Sequence, residues 1–127
     1  MQELHLYEYA VIRVVPRVER EEFINVGLIL FCKKAKYLHA YCAIDESRLC
    51  SLHADLDIDQ IKMNLRALEK ITSGANDGGP IALMEVPERF RWLTAIRSSV
   101  IQTSRPHPGL SADLDVTFQR LLTELVL

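Results

Sequence analysis

The chain has 127 residues, 49% of them apolar and 25% charged, with a net charge of −2 and an isoelectric point near 6.1. That length favours one α+β domain over residues 1–127, with one core and no need of a staple. The mild acidity argues against nucleic acid as a partner, since such binders are usually basic. No apolar run approaches the roughly 18 residues of a membrane helix, which leaves no membrane partner in view, and residues 1–5 lack the basic and apolar regions of a leader peptide. Three cysteines, an odd number, do not close a disulfide framework and fit a reducing cytoplasm.

The opening third is rich in β-branched and aromatic residues. It reads as strands over residues 7–15, 23–32 and 37–43. The first connection starts at Pro16 and is highly charged; the second, Lys33-Lys34-Ala35-Lys36, suits a hairpin. Short connections predict one antiparallel sheet with the second strand between the other two. That second strand is apolar on both faces, as expected of a central strand covered on both sides or by a partner. Gly27 within it predicts a bulge or a close backbone approach.

Helical patterns follow. Residues 45–49 read as a short turn. Asp57 can cap a helix to Thr72, with Ile58, Ile61, Leu65, Leu68 and Ile71 as its apolar stripe. A Gly- and Asn-rich loop over 73–80 ends it. Residues 81–86 read as a strand. Pro87 opens a helix whose stripe is Phe90, Leu93 and Ile96. Residues 98–103 return as a strand, residues 104–109 form a proline-stiffened loop, and Asp113 or Asp115 caps a last helix. The whole predicts an α+β domain: an antiparallel sheet of three to five strands with helices packed on one face or end.

Three groups carry candidate chemistry. His39-x-x-Cys42 followed by Cys50-x-x-His53 has ligand types that suit zinc. Strand positions three apart point to opposite faces, however, so no metal and no cofactor is expected. Arg97, Ser98, Ser99, Gln102, Ser104, Arg105 and His107 lie within eleven residues, and with Arg13 they offer the forks, hydroxyls and amide that hold a phosphate or carboxylate. No base is placed beside the serines, so no nucleophile is read from them. The mixed run 17–22 and Asn25 offer a docking surface for a protein through Arg17, Arg20 and Asn25.

Three blocks carry a family resemblance: Tyr9-Ala-Val-Ile-Arg-Val-Val-Pro16, Glu22-Phe-Ile-Asn-Val-Gly-Leu-Ile-Leu-Phe31, and Arg97-Ser-Ser-Val-Ile-Gln-Thr-Ser104 with His107-Pro-Gly109. In this order they resemble the bacterial domain-of-unknown-function family 3037. The resemblance implies no catalytic residues. It implies a partner, because members are often encoded beside kinases resembling the high-persistence toxin type. The expectation is therefore a non-catalytic protein-binding module, a partner or regulator of such a kinase, acting through a sheet edge or the 17–25 region. A homo-oligomer through the same edge is compatible with it. The alternative is a small enzyme or ligand-binding domain for an anion at Arg13, Arg97, Ser99, Gln102, Ser104, Arg105 and His107.

Overall fold

Strand β1 (His5–Val14) is the axis of a five-stranded antiparallel sheet. The computed structural model describes residues 3–95 and 99–127. β2 (Ile24–Cys32) pairs along one side of β1, and β3 (Tyr37–Cys42) pairs with β2 beyond it. The other side of β1 is shared. β4 (Ile101–Thr103) pairs with Ile12–Val14, and β5 (His107–Ser111) with His5–Tyr9. The three early strands and their order follow the sequence pattern.

The break between β4 and β5 is bridged by one side chain. The Ser104 amide donates to the Val11 carbonyl at 2.8 Å, and the Ser104 hydroxyl accepts from the Val11 amide at 2.9 Å. The hydroxyl thus replaces a ladder carbonyl where Arg105 and Pro106 leave the strand. Residues 107–109, expected as loop, belong to β5 instead. The ladder permits this. Val11 bonds toward the β4–β5 side, so alternate residues Tyr9 and Tyr7 do too. Their partners His107 and Gly109 face inward, and Pro108 turns its missing N–H outward.

Ile12 pairs with Gly27 but Arg13 pairs with Asn25, leaving Val26 as a bulge. The bulge shifts the alternation of β2. Val26, Ile29 and Phe31 bury on one face, while Leu28, Leu30 and Cys32 bury on the other. Helices cover both faces, which corrects the expectation of helices on one face or end. A central strand apolar on both sides requires it. On the first face lie α1 (Glu46–Leu52), α2 (Ile58–Ser73) and α3 (Val86–Leu93), with Phe90 stacked on Phe31 at 4.6 Å between ring centroids. On the second lies α4 (Leu114–Leu125), which buries Leu114, Phe118, Leu121 and Leu122.

The helix ends follow the capping residues. Asp45, Asp57 and Asp113 each accept amide hydrogens from the first turn of α1, α2 and α4. Gly74, at φ 72°, stops α2 in the left-handed conformation that glycine adopts freely. Residues 81–86 are not a strand. Gly79 at φ 85° and Pro80 start a 3-10 helix, Pro80–Leu83, which buries Ala82 and runs into α3. Pro80 fixes the first helical φ and has no amide to leave unpaired. Ile96, Arg97 and Ser98 lie outside the described residues. No described helix is long and apolar enough to cross a membrane.

Candidate functional site

Register brings some of the expected site residues together. Gln102, Arg13 and Asn25 are direct cross-strand neighbours and form a polar row on the α4 face of the sheet. The Arg13 guanidinium carbon lies 4.0 Å from the centroid of the half-exposed Phe23 ring. Burial lowers its proton affinity, and among the described residues no carboxylate pairs with it. The Asn25 amide nitrogen donates to the Leu125 carbonyl at 3.0 Å and ties the last turn of α4 to the sheet. The Gln102 amide nitrogen is spent on the Ser99 carbonyl at 2.9 Å. What remains in the row is a buried donor, Arg13 Nε, beside a buried acceptor, Asn25 Oδ1, neither with a partner among the described residues. The row therefore mixes both polarities and differs from a cradle of convergent donors.

The other expected residues disperse. His107 packs against Tyr9 on the paired strand, with ring centroids 5.1 Å apart and planes tilted by 30°. Ser104 is taken up by the ladder, Ser99 donates to the Ile101 carbonyl at 2.6 Å, Arg105 is exposed on the connection, and Arg97 lies outside the described residues. Arg17 and Arg20 line a separate cleft of about 170 Å³ with Pro16, Glu22, Leu52 and His53. Each arginine is paired within its own loop, Arg17 to Glu19 at 2.8 Å and Arg20 to Glu22. Asn25 is not among the residues of that cleft. His39 packs against Phe118 of α4, with ring centroids 4.5 Å apart and planes tilted by 53°, whereas Cys42 packs on the opposite face with α2. The strand geometry separates this pair as the alternation requires. No group of three or more metal-ligand side chains occurs among the described residues.

The feature that sequence reasoning did not single out is the outer edge of β3. The ladder alternation fixes which groups it presents. Val11 bonds toward β4, so Ile12, Ala10 and Glu8 bond toward β2. Their partners Gly27, Ile29 and Phe31 are thereby used, and Leu28 and Leu30 bond onward to Tyr41 and His39. The bond from the Ala43 amide to the Val26 carbonyl, 2.6 Å, keeps the same phase. Leu38, Ala40 and Cys42 are left with N–H and C=O directed away from the sheet. Their side chains face α2.

Two adjoining cavities run between this edge and α2. One of about 310 Å³ is lined by Leu38, Ala40, Glu69 and Lys70 among others. The next, about 200 Å³, is lined by Cys42, Lys62, Arg66 and Glu69 among others. Lys62, Arg66, Glu69, Lys70 and Ser73 recur at helical spacing, which places them on one wall. That spacing was legible in the sequence, but it only acquires meaning once β3 is known to lie beside α2 as an edge. By contrast the outer edge of β5 is interrupted by Pro108, a common protection of exposed strands. The ribbon of β1 and β5 also leaves Leu6 and Leu110 exposed in direct register on the face away from α4.

Electrostatics mark the groove floor. Burial, with the nearby Glu69 carboxylate, pushes the Cys42 thiol up to about 12, so it stays protonated. Burial likewise raises the Glu69 carboxyl, against the opposing pull of Arg66 and His39. A carboxyl raised in the folded state binds its proton more tightly there than in the unfolded chain. Stability from this group is therefore present at low pH and lost as pH rises through its folded value. Glu69→Gln is expected to match the parent below about pH 4 and to exceed it increasingly above that, once the ordinary glutamate range is passed. Paired thermal melts across about pH 4–7 check this; a constant difference at every pH would contradict it.

No curated protein and no solved structure matches the chain. A family model described as Protein of unknown function (DUF3037) matches residues 9–126. That match spans β1 through α4, so the chain belongs to this family.

Proposed function

We propose that this chain is a non-catalytic protein-binding module that captures an extended segment of its partner along the outer edge of β3. The observation that carries the reading is the open backbone of Leu38, Ala40 and Cys42 above a groove against α2. An added strand would satisfy these main-chain groups, while its alternate side chains would enter the two cavities. β3 has no proline, and no described strand pairs its outer edge. Both favour strand addition. The resemblance to the family supplies the partner class, a kinase of the high-persistence toxin type in the bacterial cytoplasm.

Ala40→Pro tests the edge. The Ala40 N–H points outward, so proline there removes a donor for the incoming strand without breaking the β2–β3 ladder. Leu38→Pro repeats the test at a second outward position and guards against a packing defect at Ala40. Expected: such a kinase co-purifies with the parent and with Leu6→Glu, and is lost from both proline variants, whose circular dichroism stays native. Retention by the folded proline variants would refute the edge. Loss with Leu6→Glu alone would move the docking surface to the β1–β5 ribbon.

A further inference from the structure

Resting on the strand-addition reading, we infer that the segment taken by this groove is acidic, with aspartate or glutamate side chains directed at α2 on alternate positions. The wall that faces an incoming strand carries Lys62, Arg66 and Lys70, four residues apart, against one carboxylate, Glu69. Two of these cations have partners, but both partners lie outside the groove. Lys62 bonds Glu46 at 2.5 Å and Lys70 bonds Asp77 at 2.7 Å, in ion pairs whose side chains are between 38% and 69% exposed. Such exposed pairs are weak and exchange readily. Arg66 has only Glu69 beside it on its own helix, so the wall sets three cations against one carboxylate.

Spacing agrees with charge. The two cavities centre on Leu38–Ala40 and on Cys42, positions that share one face of β3. An added strand repeats that alternation, so every second side chain meets the basic wall. A second copy of this chain is a poorer occupant. Pairing β3 with β3 about a two-fold axis would bring the two α2 walls together on the same side of the joined sheet. Lys62, Arg66 and Lys70 would then face their own equivalents, and like charges in register oppose association.

The probe is a displayed library of random nine-residue peptides, selected against the full folded chain. Expected: recovered sequences carry Asp or Glu at alternate positions. Synthetic copies should bind about ten-fold more weakly to Arg66→Glu and lose affinity as salt is raised. Arg66 is exposed, so this variant keeps its fold. Binders without alternating acids, blocked by Ala40→Pro, would overturn the acidic inference and leave strand addition standing. Binders untouched by Ala40→Pro, or no binders at all, would overturn both. A concentration-dependent dimer abolished by Ala40→Pro would seat a second copy on the edge, and it too would overturn the inference.

Discussion

Gly27→Ala is expected to destabilise the fold by about 1–3 kcal/mol, although alanine normally suits a strand interior better than glycine. The sign is reversed by what surrounds the position. A Cβ there would stand 2.8 Å from the Tyr41 carbonyl oxygen, 3.0 Å from Cys42 Sγ and 3.0 Å from Ile12 Cδ1. The first of these is backbone of β3, held by its ladder to β2, and cannot turn aside as a side chain would. The second and third come from strands on opposite sides of β2, so relief toward one crowds the other. Gly27 also adjoins the bulge at Val26, where β2 has already departed from regular pairing. Urea titration should show a lower midpoint with an unchanged slope. A midpoint equal to or above the parent's would mean that β3 yields freely. Because Tyr41 and Cys42 end the candidate edge, the same substitution is expected to weaken partner capture beyond what the loss of folded protein explains.

The sheet was legible in the sequence because its signals are local. Dense β-formers, short connections and the Pro16 and lysine-rich breaks place three strands and their order, and Gly27 announces a close approach. Helix caps are equally local: Asp45, Asp57 and Asp113 each stand just before an apolar stripe. What was not legible depends on long-range partners. Residues 107–109 look like a rigid loop until β1 supplies a strand whose inward bonds skip Pro108. Residues 81–86 have an ambiguous pattern because the turn they form is set by Gly79 and Pro80 and by burial of Ala82. The candidate site shows the same limit. Arg13, Gln102 and Asn25 are scattered along the chain and meet only through register, whereas the dense 97–107 cluster spends Ser99, Gln102 and Ser104 on local or ladder bonds. The groove requires β3 to be an edge and α2 to lie beside it, and neither fact is written in a window of sequence.

Arg89→Ala is expected to cost about 1–3 kcal/mol, and Arg89→Lys to recover less than half of it. Arg89 stands on α3, yet its Nη1 donates to the carbonyls of Ile71 at 3.1 Å and Thr72 at 3.0 Å. These belong to the last turn of α2, where helix carbonyls have no partner within the helix. A cation there also opposes the negative end of the helix dipole. The guanidinium is admitted by Gly74, since a Cβ at that residue would stand 2.9 Å from Nη1. One subtraction applies. Arg89 Nε is buried without a partner among the described residues, and alanine removes that cost together with the two bonds. The net effect therefore falls below twice the value of a single charged hydrogen bond. Lysine ends one bond short of the position of Nη1 and lacks the fixed donor directions of the planar guanidinium, so its ammonium does not hold both carbonyls as Nη1 does. Hydrogen exchange separates this account from general loosening. The last turn of α2, around Ile71 to Gly74, should lose protection first, while β1 and β2 keep theirs until global unfolding. Uniform loss across the sheet would show that Arg89 acts through the α3 packing of Phe90 instead. Since α2 is the wall of the candidate groove, a frayed C-terminal turn should also loosen the cavity at Leu38 and Lys70 more than the one at Cys42 and Arg66.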